Sequence, residues 1–338
     1  MINTMTLSYD PPQVAIPKTV RLSFESLQYS TQPAVAQPVR LLGTDCLIKP
    51  HVTLAAHTSF RVGGPAQWYV TPQRFAELQA SFEWAQAHAL PITLLGAGSN
   101  LLISDRGLPG LVISTRRLRQ NQFNLASGEV TVGAGEPLPR LAWQMAERGL
   151  QGMEWAVGIP GTVGGAVVMN AGAHGGCTAD YLVNAHVLLP DGTTKILTPQ
   201  DLRYRYRTSA LQGKNWLVTQ ATFQLQPGFD PATLTDLTNQ HYKHRRTTQP
   251  YHLPSCGSVF RNPIGHKAGC LIEQAGLKGY QIGGAQIAER HANFILNCGN
   301  AVASDIFRLI QHVQQQVEQR WSLNLETEVK ILGDFQAL

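Results

Sequence analysis

Charge is scarce in this chain. Of its 338 residues, 14% are Asp, Glu, Lys or Arg, where a soluble domain ordinarily carries about a quarter. The 27 basic and 22 acidic residues leave a net charge of +5. Apart from short groups such as "RRLR" (116–119) and "YKHRR" (242–246), the basic residues are dispersed. No stripe of the kind that tracks a nucleic-acid backbone is present, so no nucleic-acid partner is expected, and small anionic ligands suit the pattern better. No C-x-x-C pair occurs among Cys46, Cys177, Cys256, Cys270 and Cys298. An odd count at scattered spacing predicts reduced thiols in a reducing compartment. No apolar run approaches the roughly eighteen residues of a membrane helix, and no basic segment followed by an apolar core opens the chain. The expectation is a cytoplasmic protein without membrane association.

What is present is ordinary in amount and uneven in placement. Apolar residues make up 43%, enough for two or three domains with substantial cores at this length. Residues 1–45 hold five prolines in polar filler without a sustained period and read as a loosely ordered extension. From Leu47 the signals sharpen. Phe75, Leu78 and Phe82 recur at helical spacing, and "PITLL" and "LVIS" read as buried strands. Leu138, Leu141 and Met145 mark another helix, with Gly149 as its stop. "HVLLPDGTTKIL" predicts a hairpin at Asp191-Gly192, and "LVTQATFQL" alternates as a half-buried strand does. Pro227 to about Thr235 reads as a linker. Beyond it come a helix ending near Gly276 and a long helix from Ser304 with Ile306, Ile310, Val313 and Val317 on one stripe. A last strand, "LETEVKIL", follows. Without a strict βαβ alternation the fold class is α+β.

Two segments are rich in glycine and contain no lysine. "LLGAGSNLL" has Gly-x-Gly, but Leu101 stands where a dinucleotide fingerprint needs its third glycine, which argues against a Rossmann site. Gly96-Ala97-Gly98-Ser99-Asn100 still makes a sharp turn able to offer several N–H groups to a phosphate. "GIPGTVGGAVVMNAGAHGG" (158–176) has seven glycines and no charged residue. It is too apolar for a solvated loop and reads as too glycine-rich for a regular helix or strand. Such stretches serve either close backbone packing or a ligand cradle. Together they suggest a large cofactor whose diphosphate is met by backbone dipoles, with residues 163–169 as an apolar floor.

"LGAGSNLLISDRGLPGLVI", "GIPGTVGGAVVMNAGAHGG", "YRTS", "SCGSVFRNP", "AGCLIEQAGLKGYQIGGAQIAERHANFILN" and "LETEVKILG" occur in this order. Together they resemble the UDP-N-acetylenolpyruvoylglucosamine reductase family over roughly residues 47–335. The resemblance implies an FAD-binding region of two subdomains, of the vanillyl-alcohol-oxidase (PCMH) type, at 46–226. It implies a C-terminal α+β substrate-binding domain at 227–338. It also implies non-covalent FAD, NADPH as co-substrate, UDP-N-acetylglucosamine enolpyruvate as substrate, a role in peptidoglycan synthesis and cell-wall biogenesis, and a monomer. Gly96, Ala97, Gly98, Ser99, Asn100 and Leu101 are the first expected cofactor contacts. Ile159, Pro160, Gly161, Thr162, Gly164, Gly165, Asn170, Gly172 and Ala173 are the second group. "NPIGHKAGCLIE" leaves no room for the tyrosine-bearing loop of one subtype, and Gln249 stands where that subtype has lysine, so the chain resembles the shorter subtype. His174 replaces a tyrosine common in the family.

The implied reaction delivers hydride to one vinyl carbon and a proton to its neighbour. It therefore needs a cation where enolate-like charge develops and a positioned proton donor. By resemblance Ser258 is that donor, Arg207 the cation and Glu328 a partner to the substrate carboxylate or to Ser258. A carboxylate in that place needs a raised pKa. Arg203, Arg205 and Arg207 share one face if they lie on a strand. Glu326, Glu328 and Lys330 would share another. Asn262 and Lys278 match substrate-contacting positions, and Arg245 is a candidate for the uridine diphosphate. His241 and His244 lie one helical turn apart without a third ligand, so no metal is expected. Cys256 lacks a histidine partner at a recognisable offset, and no hydrolase elbow occurs. Two other readings remain open at this point: an FAD-linked oxidase of the same fold, and a non-catalytic nucleotide-sugar or flavin sensor.

Overall fold

The structure, a computed structural model, describes residues 37–335. Most of the expected N-terminal extension, residues 1–36, lies outside the described residues. The first region comprises β1 (Val39–Arg40), β2 (Leu47–Thr53), β3 (Pro65–Val70), α1 (Phe75–Ala87), β4 (Ile92–Leu95), β5 (Leu101–Ile103) and β6 (Leu108–Ser114). Its sheet has the order β1-β2-β3-β6-β4, antiparallel through β3 and parallel at β3–β6 and β4–β6. Strand pairing thus begins at Val39, inside the segment expected to be loose. Leu41 supplies the reason: it is 2% exposed, in the core, and its N–H closes the β1–β2 turn on Cys46 O at 2.9 Å. On α1, Leu78 and Phe82 are buried, whereas Phe75, in the first turn, stays 43% exposed.

The second region is an antiparallel sheet carrying helices. It contains β7 (Asn121–Asn124), β8 (Glu129–Gly133), α2 (Leu138–Ala146), α3 (Val163–Met169), β9 (Gly172–Ala173), β10 (Gly176–Cys177) and α4 (Thr178–Tyr181). β11 (Leu182–Leu188), β12 (Thr194–Leu197), α5 (Pro199–Leu202) and β13 (Leu217–Gln224) complete it. The sheet order is β12-β11-β13-β8-β7, and the β11–β12 hairpin turns at Asp191-Gly192, where Gly192 has φ +82°. Leu138, Leu141 and Met145 of α2 pack on Val130, Val132 and Phe223 of the sheet in one buried cluster.

Residues 163–169, expected to be too glycine-rich for a helix, form α3. Tertiary contacts override the propensity. The Val163 and Gly164 N–H groups donate to Glu136 O and Ala134 O at 2.9 Å each, and Thr162 caps Gly165 N–H. Gly164 packs so closely on Ala134 that a Cβ there would stand 2.9 Å from the alanine methyl.

The expected linker is shorter than its polar composition suggests, because α6 (Pro231–Thr248) starts within it. Asp230 caps the Ala232 and Thr233 N–H groups, and Pro231 occupies the first helical position, where a missing N–H costs nothing. Then follow α7 (Ala268–Gln274), the antiparallel β14 (Gln281–Ile282), β15 (Ala285–Ile287) and β16 (Ile295–Asn297), and α8 (Ala303–Trp321). The α8 residues Ile306, Ile310, Val313 and Val317 are all buried.

The chain's last strand, β17 (Lys330–Leu332), pairs in parallel with β5 of the first region. Phe60, Val62 and Leu102 accordingly share a core with Val259, Phe260, Ile306 and Val329. None of the helices among the described residues is long and apolar enough to cross a membrane.

Asn293 braces the segment that carries Ser258. It is 4% exposed. Its Oδ1 accepts from Phe260 N–H at 2.9 Å, its Nδ2 donates to Phe260 O at 2.8 Å, and its carbonyl accepts from Val259 N–H at 2.9 Å. Asn293→Ala strands two buried backbone groups of Phe260. The expected loss is on the order of 2–4 kcal/mol in urea unfolding; a loss below about 0.5 kcal/mol would mean that water replaces the amide.

Candidate active site

Both glycine segments face one cavity of about 820 Å³, within the range of ligand pockets. Residues 96–101 form one wall, and 159–162, Gly164, Gly165, Gly172 and Ala173 form the other. The segments meet directly. A Cβ on Gly96 would lie 2.8 Å from Thr162 Oγ1, and one on Gly161 (φ +152°) would lie 3.2 Å from Ser99 Oγ. Among the described residues the N–H groups of residues 96–100 donate no hydrogen bond. Five consecutive open donors on a turn suit an anion with several acceptor oxygens.

Glu328 is the one carboxylate among the described lining residues, against Arg207, Lys214, Arg245 and Lys330. Ile159, Leu138, Val168 and Leu332 add apolar wall. The donor set and charge fit an anionic dinucleotide. Asn170, expected as a cofactor contact, does not line the cavity. It ends α3 in the left-handed region (φ +45°), donates to Arg205 O at 3.1 Å and accepts from Ala179 N–H at 3.0 Å.

Ser258, Arg207 and Glu328 all line this cavity. Residues 259–261 run antiparallel to 326–328: Phe260 pairs with Thr327, Arg261 N–H donates to Glu326 O at 2.9 Å, and Glu328 N–H to Val259 O at 2.8 Å. Asn100 ties the glycine turn to the same strand. Its Nδ2 donates to Glu328 O at 3.0 Å, and its carbonyl accepts from Lys330 N–H at 3.0 Å.

Arg207 Nε donates to Glu328 Oε1 at 2.9 Å and its Nη2 to Gly172 O at 2.7 Å. The three arginines do not share a strand face. α5 ends at Arg203 (φ +48°), and Arg205 to Thr208 make a tight turn with Arg207 at φ +53°. Glu326 and Glu328 differ likewise, with side chains 76% and 15% exposed. Burial pushes the Glu328 carboxyl above the usual carboxylate range, against the opposing pull of Arg207, Arg261 and Arg245. Ser258 Oγ makes no hydrogen bond among the described residues. Cys256 also lines the cavity, but its buried thiol is pushed up to about 12 and points at Leu101 O, 3.4 Å away. Burial thus disfavours the thiolate form of Cys256.

Of the substrate candidates, Arg245 lines the cavity and donates from Nε to the Tyr251 hydroxyl at 2.8 Å. Pro160, Arg245, Gln249 and Gly257 are shared with an adjoining cavity of about 860 Å³ that also presents Arg61 and His252. Asn262 and Lys278 line neither cavity. Asn262 accepts from Ala268 N–H at 3.0 Å, and Lys278 pairs with Glu273 at 2.6 Å.

The structure adds Lys330, whose Nζ donates to Gln212 Oε1 at 2.9 Å and whose pKa is lowered by burial and then by Arg261. Alternation with Glu328 was the signal for it; Gln212 and Lys214 lie in a loop that carries none. A third histidine does approach His241 and His244. His174 stacks on His241 at 4.4 Å and meets His244 edge-on at 5.7 Å. Stacked rings do not converge their nitrogens, and no group of three or more potential ligands able to hold a metal occurs among the described residues.

Fold and site define a flavin-binding oxidoreductase. A family model described as "FAD binding domain" matches residues 66–198, and "UDP-N-acetylenolpyruvoylglucosamine reductase, C-terminal domain" matches 249–332. The UDP-N-acetylenolpyruvoylglucosamine reductase of Trichormus variabilis is 64% identical over 299 residues, 88% of this chain and 90% of that protein. The reductase of the same name from a Synechocystis species is 54% identical, over 90% of this chain and 96% of its own length. The crystal structure of the UDP-N-acetylenolpyruvylglucosamine reductase from Thermus caldophilus aligns with a TM-score of 0.74 at 36% identity. That alignment covers 85% of this chain and 100% of the other. The chain belongs to the UDP-N-acetylenolpyruvoylglucosamine reductase family.

The raised pKa of Glu328 makes a signed prediction. The fold favours the protonated carboxyl, so this group's contribution is fully present below the unfolded value. It is lost as pH rises through the folded value. Glutamine stays neutral throughout. The melting temperature of Glu328→Gln minus that of the wild type, both cofactor-free, becomes more positive from about pH 4 to about pH 8. A difference that falls over this window would mean that the Arg207 pairing outweighs burial.

Proposed function

We propose that the chain reduces UDP-N-acetylglucosamine enolpyruvate to UDP-N-acetylmuramate for peptidoglycan synthesis, with FAD held non-covalently and NADPH as reductant. We place this reaction in the cytoplasm, in a monomer without a nucleic-acid partner. The observation that supports it most is the convergence of Ser258, Arg207 and Glu328 on the cavity walled by the two glycine segments. Bound there, FAD would supply the two-electron hydride chemistry that links NADPH to the enolpyruvyl carbon.

The chain's own residues do the remaining work. Residues 96–101, 159–162, Gly164, Gly165, Gly172 and Ala173 would hold the cofactor, with the open N–H groups of 96–100 as donors for its diphosphate. Arg207 meets the substrate carboxylate, where negative charge grows during hydride addition. Its two anchors, Glu328 Oε1 and Gly172 O, fix the guanidinium before substrate arrives. Ser258 gives its Oγ proton to the carbon beside the hydride acceptor, the hydroxyl being uncommitted to other partners. Glu328, whose burial favours the proton-bearing form, can then stand beside the substrate carboxylate without full charge repulsion. Arg245 takes the uridine diphosphate at the junction of the two cavities. Asn262 and Lys278 are assigned to the sugar nucleotide by the family pattern alone.

Stopped-flow flavin absorbance with each ligand supplied separately tests this mechanism. Ser258→Ala is expected to bleach with NADPH at the wild-type rate. Its reoxidation by the enolpyruvyl nucleotide slows by about 10²–10⁴-fold. Equal slowing of both half-reactions would remove Ser258 from the proton-donor role.

A further inference from the structure

Four of the five carbonyls of the first glycine turn are held, whereas its N–H groups are open. Gly98 O accepts from Ser59 N–H at 3.1 Å and Asn100 O from Lys330 N–H at 3.0 Å. Gly96 O and Ala97 O are taken by one guanidinium, that of Arg116, from Nε at 3.2 Å and Nη2 at 2.6 Å. The same Nη2 reaches His57 O at 3.2 Å. Gly98 packs against that His57 carbonyl too closely for any Cβ. Arg116 therefore draws two carbonyls of the turn and the backbone beneath it onto a single fork.

In a trans peptide unit the C=O of one residue and the N–H of the next point in opposite directions. Carbonyls 96 and 97 held on Arg116 turn the Ala97 and Gly98 N–H groups away from it. Both residues line the cavity, and Arg116 does not. Its charge at the carbonyl ends further polarises these peptide units and strengthens the donors. We infer that Arg116 is a positioning residue for the cofactor diphosphate, arranging and polarising the donors of residues 97–98 from behind without touching the ligand. This rests on the FAD reading above. Lysine could supply the charge but not the planar Nε–Nη2 fork that holds these three carbonyls.

The test uses the full-length protein loaded with FAD. FAD release on dilution is followed by fluorescence, and thermal melts are run with and without excess FAD. Arg116→Met is expected to raise the FAD dissociation constant about tenfold to hundredfold, and Arg116→Lys to raise it less. The cofactor-free melting temperature of Arg116→Lys stays near wild type, while the gain on adding FAD shrinks. The ³¹P resonances of the bound diphosphate shift in both variants. FAD affinity within threefold of wild type in both variants overturns the inference. So does a fall in cofactor-free stability that accounts for the whole effect, since Arg116 would then only brace the sheet. Should Arg116→Met fail to fold, Arg116→Lys decides alone, and wild-type affinity in it overturns the inference. Wild-type protein that takes up no FAD would instead strike the functional reading itself.

Discussion

Asn100 holds the last strand of the chain with both its side chain and its carbonyl, reaching Glu328 O and Lys330 N–H across more than two hundred residues. Beside it, Lys330–Leu332 pairs in register with Leu101–Ile103. That short parallel ladder is what puts the carboxylate and the first glycine turn on one cavity. Ser258 comes along because its own segment pairs with residues 326–328. So the segment of Ser258, the Glu328 carboxylate and the turn share one hydrogen-bonded assembly. Closing so long a loop is entropically expensive, though its cost grows only slowly with length. The apolar core shared by Phe60, Leu102, Phe260 and Val329 offsets it.

Electrostatics on this frame are arranged around one carboxylate. Glu328 is drawn toward ionisation by Arg207 and away from it by burial, and burial prevails. The carboxyl still accepts from Arg207 Nε at 2.9 Å and so aims the guanidinium. Gly172 O, the second anchor, is a neutral carbonyl and fixes the guanidinium without adding negative charge. Two restraints thus orient the cation in advance, the kind of preorganisation that stabilisation of developing negative charge requires.

Much of this was legible in the sequence because local signals and tertiary fate agree. Alternation gave β13, the Ile306–Val317 stripe gave α8, and Asp191-Gly192 gave its hairpin. Other features were hidden for physical reasons. α3 exists because Glu136 and Ala134 carbonyls and the Thr162 hydroxyl satisfy its first turn, partners that no local window contains. Arg207 took its place through a left-handed turn, where strand periodicity carries no information. Asn170 sits among cavity-lining residues in sequence yet spends its amide on Arg205 and Ala179. In the sequence Arg116 is simply one member of the short basic group at 116–119. Its role shows only once Gly96, Ala97 and His57 carbonyls are seen to converge on it.

The glycine segments resolve into two uses of the same residue. Gly98 and Gly164 are tight-packing glycines: a Cβ at the first would strike the His57 carbonyl, and at the second Ala134. Gly96 and Gly161 sit where the two segments touch, against Thr162 Oγ1 and Ser99 Oγ. At Gly98 close packing lets the turn's carbonyls reach partners beneath. At Gly164 it brings the first N–H groups of α3 onto the Ala134 and Glu136 carbonyls, and Gly96 and Gly161 keep the contact between the segments bare. A cradle with open donors therefore requires the close packing that first looks like its alternative. The same logic accounts for the absence of lysine in both segments. Peptide dipoles aimed in advance hold an anion without the side-chain entropy that a flexible ammonium would lose on binding.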